Sequence, residues 1–273
     1  MDPLHDPDDE ALLGPRQARD LAGLVEQARL ASAQVRYGSR ARVGDATVVL
    51  NPDNPLTSAN HACALWGTLA GVAGTLLELE QVFAEAGRSE ALVLASPTTV
   101  AEIEGIADDA GWRAVDEHVA LLHRVDQVVT ESARPAGEDD LAQLVELIAD
   151  DAELPAGAER ALRKHYGHRL DEPRAVLRVV DDPGADRIAG FAQGFLARGV
   201  GLLEQVVVRP GRRRRGVGRT LVAEVVGALR ERGALLVAGH RDEGAPAERF
   251  AGACGFEEVY SVTSYARNVD ELL

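Results

Sequence analysis

The sequence predicts an α/β fold of the α+β kind, in which mixed, mostly antiparallel sheets are flanked by helices. Three observations predict it. Short apolar runs at strand length alternate with stretches of helical periodicity from about residue 17 onward. The β-branched segment at 202–208 runs through Pro210 into a turn holding Gly216 and Gly218, and Leu221, Val222, Val225, Val226 and Leu229 then recur at helical spacing. The pattern also occurs twice: Leu92-Val93-Leu94-Ala95 lines up with Leu236-Val237-Ala238-Gly239 at a shift of 144 (236 minus 92). At the same shift Ile106 meets Phe250, Gly111 meets Gly255, Trp112 meets Phe256 and Leu121 meets Tyr265, the mark of an internal repeat.

Taken in order, residues 1–16 are acidic and proline-containing and read as a disordered tail. A helix follows, with Leu21, Leu24, Val25 and Ala28 on one face. Residues 46–50 form a short strand, and 51–60, polar with two prolines, a loop. A helix is expected at 76–86, a strand at 91–95, a helix at 100–110 and a strand at 112–122. The pattern restarts with a strand at 128–135. Glu138, Asp139 and Asp140 then cap a helix whose apolar face is Leu141, Leu144, Val145 and Ile148, with acids in the first turn where the helix dipole favours them. A helix at 158–165, strands at 175–180, 188–196 and 202–208, and the loop-helix come next. A strand at 234–238, a helix at 245–253 and a strand at 256–266 complete the chain.

Composition narrows the function classes. The chain has 273 residues, 46% of them hydrophobic, enough for two modest cores. Its net charge of −15 argues against nucleic-acid and anionic-membrane partners. The same balance hints at a cationic acceptor such as an amine. Arg212 to Arg215 form the only basic run, and Lys164 is the sole lysine. Two cysteines, Cys63 and Cys254, support neither a disulfide framework nor a metal site, so no metal is expected. No stretch reaches the about 18 apolar residues of a membrane span, and no signal peptide is legible, so a soluble cytoplasmic monomer or homodimer is the expectation.

The loop carries the chemistry. A helix start offers unpaired N–H groups and a partial positive charge, a natural place for phosphate. Gly211 and Gly216 have the spacing of a P-loop, but Val217 and Gly218 stand where Lys and Ser or Thr are required. A dinucleotide fingerprint fails too, because Leu221 replaces its third glycine. What fits is V-x-P-x-x-R-x-x-G-x-G from Val208 to Gly218, which resembles the acyl-CoA pyrophosphate loop of the GNAT acyltransferase superfamily. The resemblance covers about residues 128–267. It implies acetyl-CoA as co-substrate and assigns its binding to Val206, Val207, Val208, Arg213, Arg214, Arg215, Gly216, Val217, Gly218, Arg219 and Thr220. It further implies two GNAT-like halves, 17–126 degenerate and 127–273 catalytic, since the region equivalent to the loop, 67–75, lacks proline and arginine. A departure lies at the closing segment: the tyrosine that in the family commonly protonates the departing thiolate is Ala251 here, and an upstream asparagine is Gly244.

The implied reaction moves an acetyl group to a small-molecule or peptide amine by direct attack. It needs a base and a polarised carbonyl. Glu204 alternates with Val206 and Val208 and so is expected on their strand face, looking into the acceptor cleft. His240, placed just after its strand, is the second catalytic candidate; an ordinary surface-loop histidine is the competing reading. His165 and Tyr166 fall where the family often shapes the acceptor site, and the polar loop with Asn51, Asn54, Asn60 and His61 is a candidate overhang of that cleft. Tyr260 and Tyr265 are core or sheet-surface aromatics, either of which is a candidate for the missing hydroxyl. A non-catalytic acyl-CoA-binding sensor is the alternative function.

Overall fold

A computed structural model describes residues 13–35, 38–52, 54, 59–125, 133–151, 158–242 and 245–270. Most of the acidic tail, the expected strand residues 128–132 and the expected boundary at 126/127 lie outside them. The first half runs α1 (Pro15–Ala33), β1 (Ser39–Val43), β2 (Ala46–Leu50), β3 (His61–Cys63), α2 (Leu69–Glu85), β4 (Glu90–Ala95), α3 (Ile103–Asp109) and β5 (Arg113–His123). The second runs β6 (Arg134–Pro135), α4 (Leu141–Asp151), α5 (Ala158–Leu170), β7 (Ala175–Asp181), β8 (Ile188–Ala197), β9 (Val200–Val208), α6 (Val217–Glu231), β10 (Leu236–Asp242), α7 (Ala245–Ala253) and β11 (Phe256–Asn268). Strand, helix, strand, helix, strand occurs in the same order in β3–β5 and in β9–β11.

The strands form one continuous sheet of eleven, in the order β1-β2-β3-β4-β11-β5-β10-β9-β8-β7-β6. Among the described pairings only β3 with β4 and β9 with β10 are parallel. The closing strands are exchanged. β11, from the end of the chain, pairs with β4 and β5 of the first half, while β5 pairs with β10 of the second. Each half therefore completes its sheet with the other's last strand. Tyr265 and Val269 accordingly pack in the first half's core beside Trp112, Leu76 and Phe83. One aligned pair behaves alike: Trp112 and Phe256 are both buried, each after a glycine in the left-handed region (Gly111 at φ +76°, Gly255 at φ +80°).

Several elements differ from expectation. The α1 helix starts at Pro15, inside the expected tail, because proline suits a first helical turn. β1 and β3 were not legible. β1 is almost wholly exposed, with only Ala41 and Val43 apolar, and β3 has only three residues. The α2 helix begins at Leu69 and not at 76, because Thr68 caps it by accepting from the Gly71 amide at 3.1 Å, which lets Gly71 and Gly74 lie inside the helix. β10 runs to Asp242, so His240 belongs to the strand and not to a surface loop. The α5 helix continues to Leu170, which brings Arg169 onto it.

Candidate functional site

The site begins where two strands part. β9 and β10 pair in parallel only from Val200–Leu236 to Leu203–Gly239. Beyond that point β9 stays with β8 and β10 stays with β5. The edges facing each other over Glu204–Val208 and His240–Asp242 are left apart, and a cavity opens on each side of the sheet. Both cavities reach Leu203, Glu204, Gln205, Gly239 and His240, so they meet through the gap.

A bulge shapes the gap. Gln193 of β8 faces Gln205, but the next residue, Gly194, faces Leu203, so Glu204 is the extra residue. This overturns the expected sharing of one face by Glu204, Val206 and Val208. Val206 and Val208 pack with Leu221, Val222 and Val225 on the α6 side, whereas Glu204 contacts Ser32 of α1 and Arg169 of α5 on the opposite side. Gln205 follows Glu204 to that face and accepts a hydrogen bond from the Tyr166 hydroxyl at 2.5 Å. The Glu204 side chain is only 20% exposed although the residue as a whole is exposed, so it is the main chain of the bulge that looks into the gap. The Val207 side chain points away, into the core formed by α4 and α5.

The cavity on the α6 and α7 side measures about 230 Å³ and is mostly apolar, walled by Leu121, Val206, Val222, Ala247, Phe250 and Phe256. At its outer end lies the loop. After Arg209, a short 3₁₀ turn (Pro210–Arg212) leads through Arg214 at φ +59° to Gly216 at φ +88°. Gly216 is the N-cap residue of α6, and with no side chain it leaves the first amides of that helix uncapped. Alternating backbone curvature of this kind turns successive N–H groups into one concavity, which suits an anion. Arg213 donates to the Val208 carbonyl at 3.0 Å, and Arg212 pairs with Asp182; both brace the loop. Arg214, Arg215 and Arg219 are exposed around the helix start, and Val217 and Thr220 form its first turns. Gly218 has a packing reason of its own: a Cβ there would come within 3.1 Å of the Phe250 ring. Ala251 lines this cavity where the tyrosine was missed, and among its described lining residues none carries a hydroxyl. Cys254 lies there too, its thiol pushed up to about 11 by burial. Tyr260 and Tyr265 line neither cavity at the gap.

The cavity on the other side is larger, about 340 Å³, and both halves build it. Glu204 is held from three directions. Ser32 Oγ donates to one carboxylate oxygen, Gln193 Nε2 donates to the other at 2.6 Å, and Arg169 Nη1 lies 3.3 Å from that second oxygen. Arg169 is 5% exposed and also donates to Ser32 Oγ at 2.7 Å. His240 Nε2 lies 3.3 Å from Arg29 Nη1. Burial, reinforced by the Arg29 charge, keeps its imidazole well below the ordinary range and therefore neutral. Burial likewise drives His165 down to about 3. The polar loop does overhang this cavity, through Asn54, whose amide lies 2.8 Å from His165 Nδ1. Asn51 and Asn60 fix the loop, Asn51 by bonding the Ala33 and Val35 carbonyls and Asn60 by bonding the Asn54 carbonyl. His61 sits apart in β3.

Sequence reading missed Arg29, Ser32, Arg169 and Gln193. Arg29 and Ser32 lie three apart on the first helix, and nothing local announces that this helix crosses onto the second half. A parallel strand pair parts, a glycine-bearing loop opens an uncapped helix start, and cavities on both sides of the sheet reach the same residues at the gap. Residues 141–256 match the acetyltransferase (GNAT) family, and the second half is a GNAT acetyltransferase domain. The whole chain resembles a GCN5-related N-acetyltransferase from Kribbella flavida (TM-score 0.67, 17% identity, 91% of this chain and 95% of that one). It also resembles one from Sphaerobacter thermophilus (TM-score 0.58, 18% identity, 94% of each chain). A tandem GNAT protein from the clavulanic acid biosynthesis pathway matches over 96% of each chain (TM-score 0.59, 15% identity). These likenesses are of fold. No curated protein matches the sequence, and no helix among the described residues is long and apolar enough to cross a membrane.

Proposed function

We propose that the chain transfers an acetyl group from acetyl-CoA to an amine, with 127–273 as the working half and 17–126 as a degenerate tandem half that supplies one wall of the acceptor cavity. The observation that carries this reading is the gap at Glu204, reached from the loop side by an apolar passage and from the other side by a polar cavity. The loop amides and Gly216 hold the pyrophosphate. The unladdered edge of β9 at 204–208 pairs with the pantetheine arm. The bulge main chain at Glu204 hydrogen-bonds the thioester oxygen and stabilises the charge that grows there. The amine nitrogen attacks the carbonyl carbon, the C–S bond breaks, and sulfur keeps the electron pair.

The amine must lose a proton and the thiolate must gain one. Glu204 takes the first, directly or through water. His240 is a poor choice, because the Arg29 guanidinium opposes any positive charge on its ring. With Ala251 at the tyrosine position, water delivers the second proton. Glu204→Gln keeps the shape but removes basicity and the charge that answers Arg169. We expect kcat to fall by about 10²–10⁴-fold with acetyl-CoA affinity nearly unchanged, and part of the loss to return at high pH, where the acceptor is already neutral. A wild-type rate at neutral pH in a CoA-release assay would remove Glu204 from the chemistry. A wild-type protein that binds acetyl-CoA and releases no CoA with any amine would favour the sensor reading, which the lack of a hydroxyl near Ala251 motivates.

A further inference from the structure

The acceptor cavity is electrically the reverse of the molecule that contains it. The chain carries a net charge of −15, yet two guanidiniums, Arg29 and Arg169, and one carboxylate, Glu204, line this cavity. The two histidines that line it are neutral, for the reasons given above. Glu26, one turn before Arg29, does not restore the balance. Its carboxyl is hydrogen-bonded to Ser96 and Thr98 on the far side, and burial raises it toward the protonated form. The cavity thus has one positive charge more than its own carboxylate answers.

The two arginines are also incompletely engaged. Arg169 is nearly buried, and its Nε and Nη1 have no hydrogen-bond acceptor; Nη1 lies near Glu204 without the alignment of a bond. Arg29 meets the ring nitrogen of His240, an uncharged partner, and burial lowers its own affinity for a proton. Guanidinium is the group of choice for carboxylate and phosphate because its planar fork binds two oxygens at once. Beside it, Gln193 is 4% exposed and its side-chain oxygen accepts no hydrogen bond, which leaves an acceptor for an amine N–H close to Glu204. A burial site with idle donors and an idle acceptor costs stability unless a ligand uses them.

We infer that the acceptor is a small amine carrying an anionic group, carboxylate or phosphate, which Arg29 and Arg169 hold while the amine lies against Glu204 and Gln193. This rests on the acetyltransferase reading for the identity of the nucleophile, and it reverses the cationic acceptor that overall charge suggests. A volume of about 340 Å³ suits a molecule of amino-acid size. Arg29 is an acceptor-binding residue on the degenerate half, so that half selects the substrate for the other.

Matched probes test it: glycine, β-alanine, glutamate and leucine against their carboxamides, O-phosphoethanolamine against ethanolamine, and spermidine as a cationic control. Each is titrated calorimetrically onto CoA-loaded wild-type protein and assayed for CoA release with acetyl-CoA. At least one anionic probe should bind ten-fold or more tighter than its neutral twin, and Arg29→Met should bring that ratio to within about threefold, with Arg29→Lys in between. The carboxylate and phosphate pairs separate the two anions. Equal binding within every pair, tighter binding of spermidine, or no binding of any anionic probe overturns the inference, whether or not Arg29→Met folds. CoA release with neutral amines as fast as with anionic ones leaves the acetyltransferase reading standing and overturns this one. Anionic binding without CoA release at any pH does the opposite.

Discussion

The helices that follow β3 and β9 stand at equivalent places in the two halves, and their first turns are finished in different ways. At α6 the cap position is a glycine in the left-handed region, with no side chain to close the turn and exposed arginines around it. At α2 the cap is Thr68, whose hydroxyl accepts from the Gly71 amide. The Asp45 carboxylate also lies over that turn, so close that a side chain at Gly67 or Gly71 would overlap it. Asp45 is anchored there by its amide, which donates to Thr75 Oγ1 at 2.8 Å. A carboxylate at a helix start satisfies the same partial positive charge that a phosphate would. The start of α2 is thus covered by an internal anion, and the start of α6 is left open. The two halves keep the same strand-helix order with either finish.

The largest effect is expected at the open helix start of α6. Gly218→Asp puts a negative charge beside the uncapped amides and a Cβ against Phe250. We expect acetyl-CoA to bind about 10²-fold more weakly, a cost of about 2.7 kcal/mol by calorimetry; unchanged affinity would remove the loop from pyrophosphate binding. Stoichiometry sharpens the contrast further. Titration should give one acetyl-CoA per chain, and a value near two would mean that Asp45 does not close the first half. Asp45→Asn keeps the shape and removes the charge, so it should cost about 0.3–1 kcal/mol of stability in urea unfolding without creating a second site. A gain in stability would mean that the carboxylate is a burden to α2.

The smallest effect is a pH dependence set by His165 and His240 and opposed by Glu26. His165 and His240 are held neutral in the folded chain, so the unfolded chain binds more protons once the pH falls below about 6.5. Their contribution is complete above that value and is lost progressively toward the folded value, about 3 for His165. Glu26, whose folded carboxyl is raised, acts oppositely and loses stability as pH rises past its ordinary 4.5. Because Glu26 is common to both proteins, the difference between wild type and His165→Gln over pH 6.5 to 5 isolates the histidine part. The urea midpoint should fall more in the wild type than in His165→Gln; equal slopes would contradict a neutral His165.

The second half was largely legible because its signals are local. The valine run, Pro210, Arg213 and the two glycines fall within one strand-turn-helix, and each has its own physical reason. What stayed illegible depends on distant partners. Glu204 was assigned to the wrong face because strict alternation cannot foresee a bulge, which is set by the partner strand at Gln193 and Gly194. His240 was placed past its strand because β10 is prolonged by pairing with β5, a strand more than a hundred residues earlier in the chain. Arg29 gave no signal at all, since an arginine on an amphipathic helix normally faces water. β1 and β3 were invisible for want of apolar residues or length.

The exchanged closing strands impose an order on synthesis. β4 ends at Ala95, and the segment that covers its edge pairs from Thr263 to Asn268, so 168 residues (263 minus 95) separate the two. At roughly 5–20 residues per second, a ribosome takes roughly 8–34 s to make that stretch. Throughout that interval β4, apolar from Ala91 to Ala95, presents an open row of backbone donors and acceptors, the template on which aggregation begins. The nascent first half completes its sheet only once residues 263–268 have been made.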